Sequence, residues 1–273
     1  DNTRNRIVAV IYQLVYNPNR NICNSASLYD YDVHGNVSEL VQIINETELV
    51  ALNNHIKSMK YTYDLVSGNV NEVVFQQQQV DEFHHKYHYD ADNRITNVYT
   101  SDDGENYEQD AKYFYYEHGP LARAEMGHNK VQSCDYAYTV QGWIKTVNGE
   151  VLCAYLMIGK NGKANHTNTF VAQNVHGFSL SYYNNDYESS DQSMLGVSNQ
   201  NPTPQSNLNN GNIRNMVVVQ QGLLQQNINH AVYKYQYDQL NRLLSMNSEK
   251  VNTNGSNYTL TADNYQEALT YDA

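Results

Sequence analysis

Short runs of alternating apolar and polar residues, punctuated by Asp, Gly and Asn, recur along much of this chain. The clearest reads Tyr29-Asp30-Tyr31-Asp32-Val33-His34-Gly35-Asn36-Val37. A second is Tyr61-Thr62-Tyr63-Asp64-Leu65-Val66-Ser67-Gly68-Asn69-Val70, and a third is Tyr87-His88-Tyr89-Asp90-Ala91-Asp92-Asn93-Arg94-Ile95. A late copy is Tyr235-Gln236-Tyr237-Asp238-Gln239-Leu240-Asn241-Arg242-Leu243. Two looser copies keep the aromatic pair and lose the Asp: Tyr113-Phe114-Tyr115-Tyr116 with Gly119, and Tyr136-Ala137-Tyr138-Thr139 with Gly142 and Trp143. Tyr271-Asp272-Ala273 opens a last copy, cut off within the repeat. The second aromatic falls at 31, 63, 89, 115, 138, 237 and 271, so the early steps are 32, 26, 26 and 23 residues. That length fits two strands, a tight turn and a variable return loop.

Each part of the pattern has a physical reason. Side chains alternate along a strand, so both Tyr of Y-x-Y share one face. The following Asp can accept hydrogen bonds from the N–H groups of a turn. Gly-Asn or Asn-Arg then supplies the residue that tolerates positive φ. A second strand returns through Val37, Leu40 and Val41; Val70, Val73 and Phe75; Ile95, Val98 and Tyr99; or Leu243, Leu244 and Met246. Each copy therefore encodes a β-hairpin. A lone hairpin is marginal in water, so successive hairpins are expected to stack side by side into one sheet.

Between the copies the pattern varies. Ile7, Ala9, Ile11, Leu14 and Tyr16 predict an opening strand, closed by a turn at Asn17-Pro18-Asn19. Residues 46–60 read either as a short helix, from the spacing of Leu49, Leu52, Ile56 and Met59, or as a returning strand. Residues 149–229 interrupt the spacing and read as a long loop-rich insertion, with strands at Phe178 to Tyr182 and after Gly211-Asn212-Ile213. It is the first place to look for partner contacts. The whole of 1–273 is otherwise read as a single segment of repeats.

Composition sharpens this. There are 25 Tyr against 5 Phe and 1 Trp, which suits half-buried sheet positions that are dry below and wet at the phenol tip. The net charge of −12 argues against nucleic acid, which needs clustered Lys and Arg, and against an anionic membrane surface. No apolar run reaches 18 residues, so no membrane insertion is expected. Cys23, Cys134 and Cys153 form neither a zinc signature nor a disulfide framework. The chain starts at Asp1 without a signal peptide, which reads as a mature or excised fragment.

Tests for chemistry return nothing specific. In His84-His85-x-x-His88, His85 and His88 fall on opposite faces of a strand and do not share a metal. Asp90-x-Asp92-x-Arg94 puts an Arg where a calcium loop needs oxygen, and Asp102-Asp103-Gly104-Glu105 reads as a solvated acidic turn. No nucleophile elbow, phosphate loop or dinucleotide fingerprint is present. We therefore expect no enzyme activity: no catalytic residue, no cofactor and no metal. Trp143 and the Tyr ladder could stack on sugar rings, or hold neighbouring hairpins together by cross-strand pairing.

The Y-x-Y-D-x-x-G-N/R-hydrophobic pattern resembles the YD repeat of the Rhs family, shared with teneurins and the shell components of insecticidal toxin complexes. Residues 31–37, 87–95, 113–124, 135–145 and 235–244 look most like Rhs-repeat proteins of Bacteroidetes-type bacteria. The resemblance spans roughly 25 to 247 plus the truncated end. It implies an all-β protein whose tandem antiparallel hairpins spiral into a hollow shell. It further implies a secreted or bacterial cell-surface protein that encapsulates or presents a C-terminal toxin. The partners would be the remainder of the same polypeptide, the enclosed toxin, and secretion-system or cell-surface proteins. A cell-surface adhesin or carbohydrate-binding module that takes glycans is the alternative.

Overall fold

A computed structural model describes residues 5–12, 24–150, 158–166, 168–183, 186, 208–221, 228–254 and 257–271. The chain divides into two compact units, Asp1–Lys112 and Tyr113–Ala273, where the sequence was read as one segment. The first holds β1 (Ala9–Tyr12), β2 (Ser25–Tyr31), β3 (Val37–Ile44), α1 (Thr47–Ala51), β4 (Ile56–Tyr63), β5 (Val70–Phe75), β6 (Phe83–Tyr89), β7 (Ile95–Ser101) and most of β8 (Glu108–Tyr115). The second holds β9 (Leu121–Met126), β10 (Gln132–Tyr138), β11 (Ile144–Val147), β12 (His176–Ser181), β13 (Asn215–Gln221), β14 (Ile228–Tyr237), β15 (Leu243–Asn254) and β16 (Asn257–Ala268). The fold is all-β: among the described residues these sixteen strands form one sheet whose hydrogen-bonded order is the sequence order. Among the described residues the paired strands run antiparallel, as stacked hairpins require.

The register carries a regular irregularity. Tyr31 faces Val37 but Tyr29 faces Leu40, so Ser38 is left over. The same slip leaves over Asn71 between Tyr63↔Val70 and Thr62↔Glu72, and Thr96 between Tyr89↔Ile95 and His88↔Asn97. It recurs at Lys145 and Leu244. Each of these five returning strands thus bulges one residue after it starts, and the bulge re-aims its own side chain. This is why apolar residues on the return are three apart (Val37 and Leu40, Val70 and Val73, Ile95 and Val98) while their Tyr partners are two apart.

Two regions resolve differently from their sequence patterns. Within 46–60 both readings hold in turn: α1 takes Thr47–Ala51 and β4 begins at Ile56. The 149–229 span holds β12, β13 and the start of β14, with two long connections before β13. The first joins β11 to β12 at one sheet margin; the second joins β12 to β13 at the opposite margin, where the hairpin turns lie. Leu14, Tyr16, the Asn17-Pro18-Asn19 turn, Cys23, Cys153 and the cut-off Asp272-Ala273 lie outside the described residues.

The two units bury different things. Among the described residues of the first, only Ala26 and Val74 are buried apolar side chains. The second packs Val217, Val219 and Val232 at 1%, 0% and 1% exposure. Val217 faces both Ser179 and Val232 across the ladder. Val219 faces Gly177, where any side chain would strike the Gly149 carbonyl.

Candidate functional site

The repeated rung is the unit from which any site is built. Its turn is closed by the Asp. Asp32 Oδ1 accepts from the N–H groups of His34, Gly35 and Asn36 at 2.9, 2.6 and 2.8 Å. Asp64 Oδ1 accepts from Val66 and Ser67, Asp90 Oδ1 from Asp92 and Arg94, and Asp238 Oδ1 from Leu240 and Arg242. In the last two copies the Arg side chain returns as well, with Nε 2.7 Å from Oδ2 of Asp90 and of Asp238. Positive φ falls on Gly35, Gly68, Asn93 and Asn241, the residues that tolerate it best. Backbone hydrogen bonds from Ser67, Arg94 and Arg242 hold Asp64, Asp90 and Asp238 below the usual carboxylate range. At Asp32 burial pulls the other way, and the hydrogen bonds together outweigh it. Where the Asp is lost the turn differs: Thr139 Oγ1 accepts from Trp143 N at 3.2 Å, whereas Tyr116 takes the Asp place and donates its hydroxyl to Tyr136 O at 2.7 Å.

The second Tyr of the rung does something the sequence pattern does not show. Tyr63 donates its hydroxyl to Val37 O at 2.9 Å, and Tyr89 donates to Val70 O at 2.7 Å. Tyr138 reaches Leu121 O, Tyr237 reaches Ile213 O, Tyr271 reaches Leu243 O, and Tyr31 reaches Ile7 O, at 2.7 to 3.0 Å. Val37, Val70, Leu121 and Leu243 each begin a returning strand. Each such Tyr therefore ties its strand back to a preceding one, and at Val37, Val70 and Leu243 the accepting carbonyl stands beside the bulge where the ladder is disrupted. Burial raises Tyr63, Tyr89, Tyr138 and Tyr237 above the ordinary phenol value. Tyr29, Tyr61, Tyr87, Tyr136 and Tyr235 lie two residues earlier on the same face, against Leu40, Val73, Val98, Val147 and Met246.

Tyr182 makes the same bond, to Ile144 O at 2.8 Å. It exposes a copy of the repeat inside the insertion. Its strand is β12, its return begins at Gly211-Asn212-Ile213, and Gly211 has φ +89. Asp186 stands in for the turn Asp: its Oδ2 accepts from Tyr182 N at 2.7 Å, and its Oδ1 binds Lys145 Nζ at 2.8 Å. The signal was present in the sequence as Tyr182 and Gly211-Asn212-Ile213, split by the length between them. Trp143 packs here, its ring 4.9 Å from that of Tyr182 and against Gly211.

Two polar clusters complete the picture. In the second unit Arg123 joins Asp135 at 2.6 Å, Glu125 at 2.9 Å and Asn161 at 2.8 Å, all buried. Asn161 donates onward to Ser133, so the first excursion is tied down over the polar sheet face. Burial pushes Asp135 up despite its Arg partner. In the first unit buried His84 lies between Glu82 (2.8 Å) and Glu72 (3.3 Å), and Tyr107 donates to Glu72 at 2.6 Å. Burial and Glu72 raise the Tyr107 phenol to about 12. Asp103, in the acidic turn, accepts from Glu105 N, Asn106 N and Ser101 Oγ and is held far below the carboxylate range by them. Among the described residues no cluster of His, Cys, Asp and Glu is arranged to hold a metal, and no helix is long and apolar enough to cross a membrane.

No protein-family model matches the chain, and no curated protein sequence matches it. Among solved structures, a crystal structure of TcdB2-TccC3-TEV is similar over 84% of this chain and 12% of its own, at 10% identity and a TM-score of 0.44. The Tc holotoxin pore of Photorhabdus luminescens is similar over 83% of this chain and 11% of its own, at 10% identity and a TM-score of 0.36. A porin-like protein from Bacteroides uniformis covers 87% of this chain and 86% of its own, at 9% identity and a TM-score of 0.28. The chain thus spans about an eighth of the toxin-complex chains it matches. These likenesses are loose and assign no activity.

Proposed function

We propose that this chain is a wall segment of an Rhs-type β-shell, secreted or held at a bacterial surface, which encloses or presents another part of the same polypeptide. The role is structural, with no catalytic residue. One observation carries this reading: among the described residues of the first unit, only Ala26 and Val74 are buried apolar side chains. A self-contained domain of that length buries an apolar core. A single-layered sheet with half-exposed Tyr on one face needs further protein against it. The stitched hairpins supply the lateral strength that such a wall requires, and the acidic surface favours solubility.

The test is the intact mass of the native protein from its source, with denaturing gel bands. A much larger polypeptide that retains a separate C-terminal fragment non-covalently is the expected result. A native mass near 31.3 kDa would overturn the proposal, because so few hairpins cannot close a cage, and would favour an open cell-surface interaction module.

A further inference from the structure

Two clefts notch the turn margin of the first unit. One, of about 430 Å³, opens between the Asp32 turn and the Asp64 turn. The other, of about 510 Å³, opens between the Asp64 turn and the Asp90 turn. The clefts are contiguous, sharing Asp64 and Ser67 as the ridge between them. Successive turns are one hairpin apart, or two interstrand spacings, about 10 Å. Two linked pyranose rings of an extended glycan have the same length.

The chemistry of the lining narrows the ligand. Neither cleft has a Lys or Arg in it, and each contains turn carboxylates, so an anion is disfavoured. A metal ion is not matched either, because Asp64 and Asp90 direct oxygens to the N–H groups of their own turns. Asn69 Nδ2 donates to Asn93 Oδ1 at 2.9 Å and closes that pair. Asn71 and Asn97 remain. Both line the second cleft, both are half-buried, and among the described residues neither side chain has a hydrogen-bond partner. Asn71 is the bulge residue of its hairpin, which takes it out of the strand's regular alternation. A half-buried amide with free donors and acceptor calls for a ligand or water that both gives and takes hydrogen bonds, as sugar hydroxyls do. At the first cleft the exposed Leu65 and Val66, at 82% and 97%, offer an apolar surface for ring C–H groups.

We infer that the turn margin of the first unit binds a neutral polysaccharide strand, one disaccharide per cleft, with Asn71 and Asn97 as the recognising amides. Tyr61 and Tyr63 also line the first cleft and Tyr87 and Tyr89 the second, and the inference does not rest on the wall proposal. The test is calorimetric titration of the whole chain with cellohexaose, xylohexaose, laminarihexaose and mannohexaose, with cellobiose and hexagalacturonate as comparisons. At least one neutral hexasaccharide is expected to bind, more tightly than the disaccharide and the acidic chain. The double variant Asn71→Ala with Asn97→Ala loses two hydrogen bonds and is expected to weaken binding roughly tenfold or more. Asn97→Asp, which changes charge without bulk, serves if the double variant unfolds. No heat with any neutral hexasaccharide, a preference for the acidic chain, or binding unchanged in the folded variants would each overturn the inference.

Discussion

Tyr182 donates its hydroxyl to the Ile144 carbonyl at 2.8 Å, 38 residues back in the chain. The bond is the one Tyr63 makes to Val37 and Tyr89 makes to Val70. It shows that the interruption of the repeat is an expansion of one turn and one return loop, with the hairpin itself retained.

The phenol stitch can be removed without removing the ring. Tyr89→Phe leaves the Val70 carbonyl short of a donor and is expected to cost about 1 kcal/mol. Tyr182→Phe should cost a similar amount, and Tyr182→Ala about 3 to 5 kcal/mol, because a cavity is added. Urea unfolding checks this. A Phe variant as stable as the parent would show that the hydroxyl bond contributes nothing net.

Acid should loosen the hairpins. Asp32, Asp64, Asp90 and Asp238 are held below their ordinary value in the folded chain. Their stabilisation is complete above the unfolded value, about pH 4, and is lost as pH falls through the lowered folded values. Asp135, raised by burial, works in the opposite sense. Melting temperature should hold steady from about pH 7 to 5 and drop below about pH 4. Asp90→Asn with Asp238→Asn should shallow that drop. A level profile under acid in the parent chain would contradict the assignment.

Alkali should act through the phenols. Burial raises Tyr63, Tyr87, Tyr89, Tyr138, Tyr235 and Tyr237, and burial with Glu72 takes Tyr107 to about 12. A raised folded value contributes stability that is complete below the unfolded value, about pH 10, and is lost as pH rises through the folded ones. Phenolate absorbance of the folded chain should therefore rise at higher pH than in guanidinium. Superimposable curves would refute a half-buried Tyr face.

Breaking the buried pair should open one unit only. Arg123 and Asp135 have side chains 9% and 5% exposed. Asp135→Ala removes one of the three buried partners of Arg123, leaving Glu125 and Asn161, and is expected to cost about 1.5 to 3 kcal/mol. Hydrogen exchange should show lost protection in Tyr113–Ala273 and little change in Asp1–Lys112. Equal loss in both would mean that the units unfold together.

The hairpins were legible because their chemistry is local. Asp90 and Arg94 are four residues apart, and Asp32, Gly35 and Asn36 lie within one turn, so the pattern states its own hydrogen bonds. The bulge was half legible, in the three-residue spacing of Val70 and Val73, but it was read as plain alternation. The hidden copy at Tyr182 was missed because a turn motif split by a long excursion leaves no fixed spacing to search. The clefts were invisible: Asn71 and Asn97 are ordinary strand residues until neighbouring turns stand beside them.

By itself the sequence determined the strands, their order and the closure of most turns, since these depend on side-chain alternation and on donors within about five residues. The tertiary structure alone decided which carbonyl each phenol reaches and which acid holds Arg123. It also decided which amides line a cleft. Those partners are brought together by strand register, and register joins residues that lie tens of positions apart in the chain.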